Sequence, residues 1–337
     1  MNTTADTIFT LGTAVLMVGL SVTAFSRTDA GDPTTGWSNG AYQRGFEERF
    51  ERSIPSHDGS VALWAAARWA LFNEPAAGAV AGQGGWLFTE EEFTEPAGTR
   101  DLAGELARVS SILEKDGMQL VPVIVPDKAR MHANRLPRGR SAGFETRYQT
   151  ALDTIDAARL PVIDLRPALD FDASYMRTDT HWSPEGARRV AALIAESFGD
   201  VDIPRVDVET TAIGTRSLDG DLLSFVATGA FRDHVGPAEE AIETFETTVA
   251  ASGGLFGDAF VPVVLVGTSY SAKSDFHFEG FLKQALQADV LNASLVGQGP
   301  FVPMDAYLAG LNELSSPPSI VLWEIPERFL TPRSLLK

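Results

Sequence analysis

A serine at a strand tip, and a histidine two residues after an aspartate, are the side chains here best suited to covalent chemistry. The serine lies in "VPVVLVGTSYSAKSDFHFEG", Val261 to Gly280. A β-branched run climbs to Gly267 and meets Thr268, Ser269, Tyr270 and Ser271. The pattern approaches the G-x-S-x-G turn that presents a nucleophile at the end of a strand, with Ser271 in place of the second glycine. Ser269 needs a base to take its proton, and that base needs an acid to hold its tautomer. The chain has five histidines: His57, His132, His181, His234 and His277. His181 sits in "YMRTDTHWSPEGARRVA", two residues after Asp179 and just ahead of a helix start. An extended D-x-H pair can set the carboxylate on Nδ1 and leave Nε2 outward; equally, such a pair can simply decorate a helix-entry turn. Asp275 and His277 repeat the spacing, but Phe276, Phe278 and Phe281 around them point to packing. His132 trails "PDKAR" after a strand end, where it could line a cleft. No histidine pair has H-x-x-x-H or H-E-x-x-H spacing and there is no cysteine, so no metal site is expected.

The elements that must position these groups follow from periodicity. Leu102, Leu106, Val109, Ile112 and Leu113 recur at helical spacing, with Gly117 as the stop. "QLVPVIVP" reads as a buried strand, "LPVIDL" as a second ending at Asp164, Val261 to Val266 as a third and "SIVLWEIP" as a last. Helices are expected over Phe144 to Ala158, Pro184 to Phe198 (Ser183 as N-cap, Pro184 at N1) and Phe276 to Ala288. "GQGGWLFTEEEF" reads as a glycine turn, a short strand and an acidic helix start, and Phe46, Phe50 and Ile54 mark one face of a short helix. Strands alternating with helices predict an α/β fold with a mostly parallel sheet flanked by helices. Val201 to Gly254 breaks the pattern and is read as an irregular insertion.

Composition narrows the classes. The chain has 337 residues, 44% hydrophobic and 21% charged, enough for a substantial core. A net charge of −18 with no basic run excludes a nucleic-acid partner. Ile8 to Phe25 carries no charge over eighteen positions, long enough for a membrane anchor or a long signal-peptide core, with Val22-Thr23-Ala24 as a small-residue cleavage site. Asp6 and the lack of an early lysine or arginine depart from the usual positive start. The reading is export, with residues 1–26 as signal anchor or signal peptide, 27–80 as linker and helical segment, and 81–337 as the α/β domain.

"GWLF", "VPVIVPDKAR…LP", "TDTHWSPEGA", "GDL", "VVLVGTSYS" and "WEIPER" together resemble, in order, blocks of the alginate O-acetyltransferase family, the SGNH-hydrolase-like proteins of the AlgX and AlgJ type. The resemblance runs from about Gly82 to Arg328. It implies an SGNH-hydrolase-like domain, periplasmic or anchored to the inner membrane, that O-acetylates an exopolysaccharide. The triad would be Ser269 as nucleophile, His181 as base and Asp179 as orienting acid. The few residues after "WEIPER" leave no room for the C-terminal carbohydrate-binding module of the AlgX type, so the AlgJ type is expected. The acidic balance points to an acceptor less charged than alginate.

The expected chemistry is ping-pong acyl transfer through an acetyl-serine, with the Ser269 N–H as a candidate oxyanion donor. Lys128 and Arg130, after a strand end, and Trp182 and Tyr270, beside the triad, are candidate substrate contacts; surface charge and core packing are the alternatives. Trp323, Glu324 and Arg328 are read as structural. No cofactor is expected, and no nucleotide-binding glycine loop is present. The resemblance implies that a membrane-bound O-acyltransferase partner delivers the acetyl group. Two other functions fit the same residues: an SGNH-type carbohydrate acetylesterase, with water as acceptor, and a non-catalytic polysaccharide-binding subunit of a secretion complex.

Overall fold

The computed structural model describes residues 3–32, 36–93, 101–199, 203–226, 228–250, 261–314 and 316–330. The chain divides into two compact units, residues 1–76 with 226–236, and residues 77–225 with 237–337. The smaller unit thus takes in a short excursion, residues 226–236, from within the span of the larger.

The smaller unit contains helices α1 (Thr3–Arg27), α2 (Ala41–Ser53) and α3 (His57–Phe72). Of the face foreseen on α2, Phe46 meets Phe25 at 6.4 Å and Phe50 at 6.3 Å between ring centroids, while Ile54 is the C-cap residue. Among the described residues, no helix is long and apolar enough to cross a membrane. The side chains of Ile8, Phe9 and Thr10, which open the uncharged run, lie outside the described residues.

In the larger unit, β1 (Ala79–Ala81) pairs antiparallel with β2 (Leu87–Thr89). Helix α4 (Leu102–Leu113) leads to β3 (Gln119–Val125), then α5 (Ala142–Ala157) and α6 (Pro184–Phe198). An antiparallel ribbon of β4 (Val208–Leu218) and β5 (Glu240–Val249) follows. The chain continues through β6 (Val263–Val266), the single-turn α7 (Ser269–Ala272), α8 (Phe278–Leu286), β7 (Val290–Asn292), α9 (Phe301–Ala309) and β8 (Ile320–Pro326).

The main sheet has the order β3-β8-β6-β7, all parallel. Both faces are covered, which is why β8 reads as an apolar run, broken by Glu324, rather than an alternation. The period of two sorts its side chains: Ile320 and Leu322 join the core under α6 and α8, while Val321, Trp323 and Ile325 join the core under α4, α5 and α9. The last strand of the chain is inserted between β3 and β6, so the tips of three strands distant in sequence converge at one end of the sheet. In open α/β sheets that end is where ligands gather.

Two expectations need correction. Residues 160–165 form no strand: the Leu165 N–H is taken by the Tyr148 hydroxyl at 3.0 Å, and Val162 is exposed. The stretch from Val201 to Gly254 is not merely irregular, because it holds the β4–β5 ribbon. Most of β4 faces solvent, with a register shift between Ala212 and Gly214, so its threonines and glutamates show no buried alternation to read. Of that region, residues 201, 202, 227 and 251–254 lie outside the described ones.

Candidate active site

Each half of the site is prepared locally before the sheet brings the halves together. On the serine side, β6 ends and the chain turns at Gly267. A Cβ there would lie 2.4 Å from Glu324 Oε2, so the turn needs glycine for close approach rather than for an unusual backbone angle. Thr268 caps α7, its Oγ1 accepting the Tyr270 N–H at 3.3 Å, which places Ser269 at the first helical position.

On the histidine side, Ser183 caps α6 by accepting the Gly186 N–H at 3.0 Å, and its hydroxyl donates to the Ala173 carbonyl at 2.6 Å. The loop before it is pinned by an isolated bridge between Tyr175 and Trp182. The Tyr270 hydroxyl donates to the Thr180 carbonyl at 2.8 Å, tying the loop to the serine turn.

The two halves meet in one hydrogen-bonded chain. His181 Nε2 lies 2.7 Å from Ser269 Oγ, and His181 Nδ1 lies 2.6 Å from Asp179 Oδ1. Asp179 Oδ1 also accepts the His181 N–H at 3.0 Å, locking the D-x-H pair into a tight turn. The His181 ring stacks on Phe276 at 5.0 Å and touches Tyr270 at 4.6 Å. Burial among these rings lowers the His181 pKa below its usual value despite the opposing Asp179 carboxylate, so the imidazole is neutral and able to accept a proton at pH 7. Burial pushes Asp179 up, but its hydrogen bond and charge interaction with His181, with help from Lys273, outweigh this and hold it well below the carboxylate range.

Asp221 is a neighbour that spacing alone did not single out, although it lies in the "GDL" block. Its N–H donates to Asp179 Oδ2 at 2.9 Å, and its Oδ1 accepts the Thr180 N–H at 2.8 Å. Lys273 Nζ stands 3.9 Å from Asp179 Oδ2 and 4.0 Å from Asp221 Oδ2. Asp179, His181 and Asp221 bring ligand atoms within 4.8 Å of one another, the only such group among the described residues. A cation there would have to displace the Nδ1 proton that Asp179 holds. A cavity of about 250 Å³ adjoins α7, with Lys273, His277, Lys283 and Asn292 in its wall.

The four expected substrate contacts are placed elsewhere. Lys128 is fully buried, and its ammonium donates to the carbonyls of Leu87, Arg177 and Asp179, the last two at 3.0 and 2.9 Å. It holds the loop that carries Asp179 and has no donor left for a substrate. Arg130 pairs with the buried Glu327 at 2.6 Å and donates to the Phe144 carbonyl. Trp182 and Tyr270 are buried against each other at 5.1 Å, with Trp182 also on Phe278 at 4.7 Å, so neither presents a face to a sugar ring. His277 bonds Thr247 Oγ1 at 2.7 Å and Asp275 pairs with Arg216, so this D-x-H pair does not form the unit that Asp179 and His181 form. His132 is buried, 3.1 Å from Ser174 Oγ and 4.2 Å from the Trp86 ring.

A family profile described as SGNH hydrolase-like domain, acetyltransferase AlgX matches residues 79–327. The chain belongs to this SGNH hydrolase-like AlgX acetyltransferase family. It is 37% identical over 314 residues to the probable alginate O-acetylase AlgJ of Pseudomonas aeruginosa, covering 87% of this chain and 80% of that protein. The corresponding AlgJ of Pseudomonas syringae pv. tomato is 35% identical, with 95% of this chain and 86% of the relative covered. Among solved structures, the O-acetyltransferase domain of Pseudomonas putida AlgJ superposes with a TM-score of 0.68 at 31% identity, covering 78% of this chain and 96% of that one. Pseudomonas aeruginosa AlgX gives 0.60 at 27% identity over 78% of this chain and 65% of its own. The AlgX-family match spans the whole of the four-stranded sheet and includes Ser269 and His181.

Proposed function

We propose that the chain is an O-acetyltransferase that moves acetyl groups onto hydroxyls of an alginate-like exopolysaccharide through an acetyl-serine. The observation that carries this is the continuous hydrogen-bonded chain from Ser269 through His181 to Asp179. His181 Nε2 takes the Ser269 proton as Oγ attacks the acetyl carbonyl; the donor's C–O bond breaks and the leaving oxygen collects that proton. In the second half, His181 deprotonates a sugar hydroxyl, which attacks the acetyl-serine and restores Ser269. Asp179 holds the imidazole in the tautomer that keeps Nε2 an acceptor. The Ser269 N–H, at the start of α7, faces the developing oxyanion.

The AlgJ relatives' names support an alginate-class acceptor. Lys273 and Lys283 lie in the wall of the cavity beside α7 together with Glu279, Lys273 close to Asp179 and Asp221 and Lys283 paired with Glu279 and Asp289. The uncharged run Ile8 to Phe25 supports a periplasmic domain tied to the inner membrane. A membrane-bound O-acyltransferase partner is the proposed acetyl source. The test incubates the protein with an acetyl ester and alginate oligosaccharides and weighs the products. Acetylated glycan from the wild type and none from Ser269→Ala is expected. Free acetate alone with every glycan replaces the transferase by an esterase, and no turnover of any ester points to a non-catalytic subunit.

A further inference from the structure

A buried carboxylate outside the Ser–His–Asp chain lies directly under the nucleophile turn. Glu324 projects from β8, the strand between β3 and β6, and is 1% exposed. Its Oε2 accepts the Thr268 N–H at 2.6 Å and the Ser271 hydroxyl at 3.1 Å. Thr268 Oγ1 lies 3.0 Å from both carboxylate oxygens. Because that Oγ1 already accepts the Tyr270 N–H, its own proton is free to go to Glu324. Thr268 and Ser271 bracket Ser269, so three donors from one turn converge on one side chain. Gly267 lets the carboxylate approach so closely, and Arg328 is the charged group that acts on it from beyond β8.

We infer that ionised Glu324 is a positioning residue, fixing the turn so that Ser269 Oγ stays aimed at His181. The inference rests on Ser269 being the nucleophile. A protonated carboxyl would have to donate to the Thr268 or Ser271 hydroxyl, which then no longer donates to it, so protonation weakens the clamp. Burial raises the Glu324 pKa to about 7, whereas His181 lies below its ordinary 6.5. Activity should therefore fall first as the pH drops through about 7, before the base itself is protonated.

The experiment is the pH–rate profile of acetyl-ester turnover for wild type, Glu324→Ala, Glu324→Gln and Ser269→Ala, each checked for folding by circular dichroism. Glu324→Ala should lose about 100-fold in kcat with little change in KM, the scale expected when a reacting group is misplaced by about 1 Å. Glu324→Gln should recover part of this, since its amide oxygen can still take the Thr268 N–H. Its acid limb should move from near 7 to below 6.5. A folded Glu324→Ala with wild-type kcat, or a Glu324→Gln that keeps the limb near 7, overturns the assignment. If Glu324→Ala does not fold, the glutamine profile decides. Turnover by Ser269→Ala would instead bring down the nucleophile reading itself, whereas an inert Ser269→Ala beside an unaltered Glu324→Gln profile defeats only the role of Glu324.

Discussion

Replacing Lys128 by methionine keeps most of the length of the side chain and removes its charge and all three donors. The carbonyls of Leu87, Arg177 and Asp179 are then left without their partner. Hydrogen bonds from a charged donor contribute about 1.5–3 kcal/mol each, so the gross loss is several kcal/mol. Against this stands the burial of the ammonium, which, net of the attraction of Glu92, Glu240, Asp179 and Asp221, pulls the Lys128 pKa from 10.5 down to about 8, worth roughly 3 kcal/mol. The net expectation is a destabilisation of about 2–5 kcal/mol by urea unfolding at pH 7. The pH dependence has a definite sign. Between about 8 and 10.5 the unfolded chain keeps the Lys128 proton and the folded chain does not, so this residue's contribution makes stability rise with pH across that window. The gap between wild type and Lys128→Met should therefore widen as pH rises from 8 to 10.5. Because the Asp179 carbonyl is one of the three, ester turnover should also drop by about 10–100-fold in kcat. A variant with unchanged unfolding midpoint and unchanged kcat would show that the buried ammonium neither supports the fold nor places Asp179.

His181→Ala should abolish ester turnover about as completely as Ser269→Ala, since such residues act as a unit, and the double variant should be no worse in single-turnover assays. Asp179→Asn puts an amide against His181 Nδ1 and favours the wrong tautomer, so kcat should fall by roughly 10⁴-fold with the circular dichroism spectrum unchanged. His277→Ala should leave kcat within about twofold and cost about 1 kcal/mol through its bond to Thr247, read by thermal unfolding; a large loss of kcat would make His277 the base. Asp221→Ala should reduce kcat by about 10-fold while its partner loop at Thr180 loses protection in amide exchange, and equal protection with equal kcat would remove Asp221 from the site.

Much of the framework was legible because it depends on residues near one another in sequence. Ser183-Pro184 announces α6 since a cap and a missing N–H are satisfied within one turn. The apolar runs of β3, β6 and β8 announce strands covered on both faces. The β4–β5 ribbon was not legible, because exposed strands need no apolar alternation and are held by their pairing across thirty or so residues. "LPVIDL" misled for the opposite reason. Its apolar residues are buried at Leu165 and Ile163, yet a tyrosine side chain takes the backbone donor that a neighbouring strand would have used.

The sequence by itself determined the two halves of the candidate site, the G-T-S turn and the D-x-H loop, because each is built by contacts two or three residues apart. Spacing from an aspartate did not separate His181 from His277; only the phenylalanines around His277 spoke against it. That choice was made by the sheet order, which inserts β8 between β3 and β6 and folds the loop ahead of α6 over the tip of β6. The same convergence buried Lys128, Trp182 and Glu324, turning residues that read as surface, sugar-stacking or framework groups into the internal supports of the site. Burial depends on which whole faces pack together, and that is a property of the assembled sheet rather than of any local run of residues.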